Sequence, residues 1–592
     1  MQTRLIRLRF RRRLRKSQRQ FEGLSSQAEQ QIEQNLFKRF DRLVHVRRFV
    51  LGWLGLMFLL TGVMVAQNLA LSGYYQTLKT IPGGIYSEGV RGRFTNANPI
   101  YASSDADSTI SKLIFSGLMT YGQDGKLTGD LAYKYDVGSF GSMYTVHLRD
   151  GLKWQDGQPL TSEDVLFTYQ LIQNPDVQSP LKSAWEGVTI TAPDKHTVVF
   201  KLPGVLASFP YSLTNGIVPK HLLGKIPPAD LRSADFNTVH PVGAGPFAWQ
   251  AIEVSGDGDP KHAEEKIGLE PFVDYQGGKP KLQKFVVQIY ADQDQLLNDF
   301  KSGQLTAVEG LSSVPGGLGG NVIQHDLPLL AANMVFFKTS QGVLANQKVR
   351  QALVKGADVP DIVDSLGYSA RLVREPLLLG QVGYDKTLAQ SRQDVKSARE
   401  LLESDGWKVG KQGIRTKDGH PLSFNLTAAD TPEYRKVTSQ LAKQWQQIGA
   451  KANVQYLSET EFQNALTYHN YDSILYGISI GQDPDVFVYW DSSQADIRAA
   501  NRLNLSEYKN TTADAALEAG RTRVDPEIRT IKYKPFLQAW QEDAPALGLY
   551  QPRLLYLTNG PVNGLSKHPL ATPTDRFANV HNWEIREAKV TN

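Results

Sequence analysis

The 592-residue chain contains no cysteine. That excludes disulfides, thiolate metal sites, a cysteine nucleophile and a lipid attached to sulfur, so any domain outside the cytoplasm must be stable by burial alone. The eleven histidines are scattered, with no His-x-x-x-His pair or Cys/His cluster, so no metal site is expected. A Gly-x-x-x-x-Gly-Lys-Ser/Thr phosphate loop is missing as well, so no nucleotide-powered step is expected of this chain and no cofactor is implied. Ser255–Glu265 (SGDGDPKHAEE) has the carboxylates and glycines of a calcium loop but not its spacing or terminal glutamate, and reads as a solvated insertion.

Charge is also missing where a membrane would forbid it. Between Arg48 and Lys79 no residue is charged, and Val50–Leu71 (VLGWLGLMFLLTGVMVAQNLAL) is long enough to cross a bilayer as a helix. Residues 1–49 carry fourteen Lys/Arg against four Asp/Glu, a net of +10; the whole chain is +5, which leaves −5 for residues 50–592. Basic residues beside a span stay on the cytoplasmic side, so the expected topology is a cytoplasmic tail and a large domain outside the cell membrane. A cleavable signal is the competing reading, with Ala66 and Ala70 as weak cleavage positions, but its apolar core would be shorter and nearer the N-terminus. Within the tail, residues 4–19 form an arginine-rich block, and Ile32, Leu36, Phe40, Leu43 and Val44 follow near helical spacing. This suits a helix lying along anionic headgroups; a protein contact is the alternative, and nucleic acid is not expected as a partner.

The outer portion mixes strand and helix patterns throughout. Strands are expected at Tyr144–Leu148, Thr197–Leu202, Phe285–Tyr290, Met334–Lys338, Leu422–Ala428 and Ile474–Ile480. Helices are expected at Ser162–Ile172, Asp292–Ser302, Gln347–Gly356, Val395–Ser404 and Glu433–Ile448. Interleaving of this kind is α/β, and more than 500 residues exceed one core, so at least two domains follow. Ser312–Asn321 (SSVPGGLGGN) reads as the flexible marker between them. One stretch is legible residue by residue. In Leu148–Ile172, Asp150-Gly151 and Asp156-Gly157 mark tight turns, and Thr161 with Asp164 forms a capping box ahead of an apolar helix face.

That unit resembles the signature of the family-5 extracellular solute-binding proteins, the peptide, dipeptide and nickel receptors of ABC importers. Further segments resemble the family in the same order: Ile114–Gly122 (IFSGLMTYG) with Asp130-Leu131-Ala132, Gly243–Phe247 (GAGPF), Val349–Asp358 (VRQALVKGAD) and Tyr471–Trp490 (YDSILYGISIGQDPDVFVYW). The resemblance runs from about residue 84 to about 585. It implies an α/β clamshell of two lobes with a discontinuous first lobe. The expected division is tail 1–49, membrane helix 50–72, linker 73–83, lobe one 84–330 plus 540–592, and lobe two 331–539, with Leu547–Leu557 as the strand that rejoins the first sheet.

The resemblance implies capture of a peptide in the interlobe cleft and delivery to a permease powered by an ATPase, both on other chains. A non-peptide solute such as an oligosaccharide, or a sensor signalling through the tail, is the alternative, and an outer hydrolase a third. Candidate ligand residues are Tyr476, Asp483, Asp485 and Trp490 in the segment that resembles the closing loop, and Trp185 in lobe one. Asp483-Pro484-Asp485 puts two carboxylates on a restricted turn, suited to a peptide's ammonium. Peptide-binding relatives commonly offer an acid a few positions earlier. Here Ser479, Ile480, Gly481 and Gln482 stand there, so the amine clamp is either moved to Asp483 or absent.

Overall fold

The computed structural model describes residues 47–255, 264–496, 498–499 and 502–591. The tail up to residue 46, its expected surface helix and most of the Ser255–Glu265 insertion lie outside the described residues. Two compact units emerge: one of residues up to Lys79 together with Glu587 onward, the other Thr80–Arg586.

In the first unit, helix Arg47–Tyr75 contains the apolar run Phe49–Asn68, long and apolar enough to cross a membrane and not buried by protein. The expected linker 73–83 is instead partly ordered: the helix runs on to Tyr75, and strand Gln76–Ile81 pairs with Arg586–Thr591.

The second unit carries the two lobes. Lobe one is built on a seven-stranded sheet, in spatial order Val322–Pro328, Arg553–Asn559, Ala307–Val308, Ile85–Arg91, Lys284–Tyr290, Glu264–Pro271 and Phe247–Ser255. A four-stranded antiparallel sheet (Ala132–Val137, Met143–Leu148, Thr197–Lys201, Thr189–Asp194) extends its core. Helix Ser162–Gln173 starts where the capping box predicts, with Thr161 accepting from the first turn and Asp164 accepting from the Thr161 amide at 2.9 Å. Gly151 and Gly157 take positive φ at +70° and +86°, which is why glycine follows aspartate at both turns.

Lobe two has a five-stranded sheet ordered Lys451–Leu457, Ser423–Ala429, Ser473–Ser479, Ala331–Phe337 and Ala546–Tyr550. Its apolar strands are covered on both faces. Val335 and Phe337 enter one core with Leu353, Leu441 and Trp445, while Met334 and Phe336 enter another with Trp490, Phe536 and Trp540.

Two expectations about the boundary are corrected. Ser312–Asn321 does not separate the lobes, because the strands before and after it, Ala307–Val308 and Val322–Pro328, belong to the same sheet. The return to lobe one falls later than residue 540. Leu547–Leu557 is not one strand but parts of two: Ala546–Tyr550 closes the lobe-two sheet and Arg553–Asn559 joins the lobe-one sheet. Gln551-Pro552 breaks the run, since proline cannot donate to a ladder.

Candidate functional site: the edges where the lobes join

Strand directions locate the cleft. In lobe one, Ile85–Arg91 runs parallel to Lys284–Tyr290 and Ala307–Val308, and Arg553–Asn559 runs antiparallel to its neighbours. The carboxyl ends of the parallel strands and of Val322–Pro328 therefore share an edge with the start of Arg553–Asn559. In lobe two, Ser423–Ala429 is parallel to Lys451–Leu457 and Ser473–Ser479, while Ala331–Phe337 is antiparallel to Ser473–Ser479 and Ala546–Tyr550. The carboxyl ends of these three strands thus share an edge with Ala331 and Tyr550. Both crossings, Pro328 to Ala331 and Tyr550 to Arg553, join one carboxyl edge to the other. Ligands of open α/β sheets bind outside that edge. An open cavity of about 720 Å³ lies at the lobe-one side, against Arg91, Gly92, Asp292 and Asp294. A second, of about 650 Å³, is lined by Gln351, Lys355, Glu400 and Ser404 on lobe-two helices and belongs to no edge of this kind.

The crossings are pinned to each other and to the loop that follows Ser473–Ser479. Leu329 N–H donates to Pro552 O at 2.9 Å, and Leu330 O accepts from the N–H groups of both Ile480 and Gly481 at 2.9 Å. Gly481 takes φ +75°, which lets the chain reverse into the Gln482–Val486 turn. This turn already touches lobe one. Ser208 Oγ donates to Asp485 Oδ2 at 3.1 Å, and Ala207 N–H donates to Arg521 O at 2.9 Å.

The predicted site residues part company here. Asp483 is not a free clamp. Arg529 grips it with two hydrogen bonds of 2.6 and 2.7 Å, and both side chains are almost fully buried. Arg529 also donates Nε–H to Gly520 O at 3.1 Å. Burial works against the guanidinium's charge, but the Asp483 carboxylate outweighs it and holds the Arg529 pKa above the ordinary arginine value. Asp485 is paired with Arg521 at 3.0 Å as well as with Ser208. Tyr476 is half-buried on Ser473–Ser479, its ring 6.0 Å from Phe462, and burial raises its pKa.

Trp185 and Trp490 must be corrected. Both have no exposed surface. Trp185 packs on Tyr169, centroids 4.0 Å apart, with Phe200 and Phe209 around it. Trp490 stacks on Phe336 at 5.6 Å and meets Trp540 edge-on. Their large apolar area is spent on the lobe cores, not on a rim.

Several partners escape sequence reading. Tyr144 and Tyr211 of lobe one feel the Asp483 charge; with burial as the main cause, Tyr144 is pushed up to about 12 and Tyr211 is raised. Arg529 leaves one recoverable signal. It occupies the buried stripe of helix Pro526–Asp543 with Tyr533, Phe536, Leu537 and Trp540, and an arginine on such a stripe needs an acid. The segment Gly477–Gly481 spells Gly-x-Ser-x-Gly, which corrects the expectation that the chain holds no such nucleophile pattern. Ser479, however, ends an extended strand instead of standing on a strand-to-helix turn.

Residues 126–499, more than half of the chain, match the family model described as "Bacterial extracellular solute-binding proteins, family 5 Middle". The chain belongs to this family. It is 27% identical over 508 residues to the oligopeptide-binding protein AppA of Bacillus subtilis (strain 168), covering 82% of this chain and 90% of the relative. It is 28% identical over 440 residues to Protein XP55 of Streptomyces lividans, covering 73% and 77%. Among solved structures, Bacillus subtilis AppA in complex with a nonapeptide superposes with a TM-score of 0.67 at 24% identity, covering 86% of this chain and all of the other. CtaP of Listeria monocytogenes, an ABC transporter substrate-binding protein, gives 0.72 at 23%, covering 85% and 99%. The family-5 fold accounts for the two α/β lobes.

Proposed function

We propose that this chain is the membrane-anchored receptor of an ABC importer, which captures a peptide between its lobes and hands it to a permease and ATPase on other chains. The observation that carries the reading is the double crossing between two carboxyl edges, with lobe two meeting lobe one where Asp485 of the Gln482–Val486 turn accepts from Ser208 and Arg521 O accepts from the Ala207 N–H. Such an arrangement is bistable, and a ligand that binds the closed form better drives closure. Bacillus subtilis AppA, a relative by sequence and by fold, is named for oligopeptides and was solved with a nonapeptide. The chain itself carries out no chemistry in this reading; Phe49–Asn68 anchors it, with the basic tail inside and Thr80–Arg586 outside.

A second reading keeps the fold and changes the solute. It is favoured by the pairing of Asp483 with Arg529, which removes the expected amine clamp. Neighbours of the same fold were solved with Ni(L-His) and with agropinic acid. Small-angle scattering of a fragment from Gly73 onward, titrated with peptide pools, tests the first reading. A smaller radius with peptide supports it; an unchanged radius with peptides, and contraction with another solute, supports the second.

A further inference from the structure

Acids along the edges where the lobes join differ in what holds them. Asp326, near the end of Val322–Pro328, is paired with Arg553. Asp430, directly after Ser423–Ala429, holds Arg435 at 2.5 and 2.8 Å. Asp483 holds Arg529 and Asp485 holds Arg521. Asp485 keeps one buried oxygen, Oδ1, without a hydrogen-bond partner, but Arg521 offsets its charge. Glu433 is different. It stands half-buried in the first turn of helix Pro432–Gln447, and its partners among the described residues are hydroxyls: Tyr550 donates at 2.7 Å and Tyr368 at 3.2 Å. Glu459, which follows Lys451–Leu457, is exposed and accepts an amide hydrogen from Gln463 at 3.0 Å.

Glu433 belongs to an array that spans the crossing from Tyr550 to Arg553. From lobe one, the Arg553 guanidinium lies 3.7 Å from the centroid of the Tyr368 ring, and Asp326 takes its charge. From lobe two, Tyr368 gives its hydroxyl to Glu433. The array holds two carboxylates and one guanidinium, which leaves one negative charge over. Arg91 and Arg93 are at the end of Ile85–Arg91, two strands from Arg553–Asn559, and share their cavity with Asp292 and Asp294.

Resting on the receptor reading above, we infer that Glu433 selects ligands that bring a positive charge to this crossing: an ammonium or guanidinium, on a peptide side chain or at a free amino end. An ionised carboxylate offers about four acceptor sites. Tyr550 and Tyr368 occupy one on each oxygen, which leaves room for a cation. The two hydroxyls also fix the carboxylate in place. A charge-assisted bond to a half-buried, oriented acid is stronger than one to a fully exposed acid such as Glu459, where water and salt compete.

The test uses calorimetry on the full chain in detergent with three matched short-peptide pools. One is N-acetylated with a lysine, one is N-acetylated with norleucine in its place, and one has norleucine and a free amino end. The lysine pool, the free-ended pool or both should bind about tenfold tighter than the neutral pool, and the tighter one names the source of the charge. Kd values within about twofold across all three overturn the inference and leave the receptor reading intact. Binding of no pool overturns the peptide reading, and this inference with it. Glu433→Gln keeps the shape and an acceptor, and should bring the cationic pools within about twofold of the neutral one while leaving the neutral one unchanged; a preference that survives overturns the inference. Asp430→Asn is the control. Its charge belongs to Arg435, so the preference should stay, and an equal loss in this variant overturns the role of Glu433. If Glu433→Gln does not fold, Glu433→Asp, which withdraws the charge by one methylene, should cut the preference by about half or more; an unchanged preference overturns the inference.

Discussion

Each lobe buries an arginine, and the two sites differ in stoichiometry. In lobe two, Arg529 faces one carboxylate, Asp483, in a closed bidentate pair. In the core of lobe one, Arg576 faces two: Glu88 at 2.5 Å and Glu309 at 3.0 Å, all three without meaningful exposure. Tyr556 adds a hydroxyl to Glu88 at 2.7 Å and Tyr86 a second-rank contact at 2.5 Å through Tyr556. The balanced pair, two opposite charges buried together, acts as a fixed strut under the Gln482–Val486 turn. An unbalanced one carries a surplus negative charge in a dry core, and one carboxyl must give way. Glu309 does: burial pushes it up to about 7, with Arg576 opposing and Glu88 reinforcing the rise.

The largest effect should come from breaking the balanced pair. Arg529→Met leaves Asp483 buried and unpaired, which costs about 3–5 kcal/mol. Removing both partners with Asp483→Leu/Arg529→Met should recover most of that loss. Urea unfolding of the fragment from Gly73 onward reads both. Equal destabilisation in the single and double variants would mean that the pair does not act as a unit.

Unbalanced charge predicts a pH signature of smaller size. A carboxyl whose folded pKa lies above its unfolded value binds more protons when folded, so its contribution is fully present below about 4.5 and is lost as pH rises through about 7. Glu309→Gln removes the titration. The variant should be more stable than the parent by on the order of 1–3 kcal/mol above pH 7, with the difference shrinking toward pH 5. A difference independent of pH would show that Glu309 does not titrate in this range.

The weakest contact joins the lobes. Ser208→Ala deletes the hydroxyl that Asp485 accepts, worth about 0.5–1.5 kcal/mol. Because that bond bridges the two lobes, its loss should weaken ligand binding about two- to tenfold. A loss of stability without loss of affinity would place Ser208 among the packing residues instead.

Local features were legible in the sequence and remote pairings were not. Helices Gln347–Gly356 and Val395–Ser404 stand at their expected bounds, because caps at Asn346 and Asp394 and apolar spacing are encoded within a few residues. The strands expected at Phe285–Tyr290 and Ile474–Ile480 are present within one residue at each end, carried by apolar runs. The second crossing was misplaced because the eleven-residue run Leu547–Leu557 holds parts of two strands whose sheets differ, and only pairing partners distinguish them. Trp185 and Trp490 were misassigned because an aromatic ring serves a core and a cleft by the same chemistry. The Asp483-Pro484-Asp485 turn was found, yet its arginines lie 46 and 36 residues on, at a separation no local spacing rule reaches.

The central claim, that a peptide occupies the cleft between the carboxyl edges, is tested most directly by native mass spectrometry of the full chain released from detergent. The account predicts a bound peptide mass carried through purification and lost when Ser479, Asp485 and Ser208 are replaced together by bulky residues. A bound species that is not a peptide, or a peptide retained by that triple variant, would contradict it.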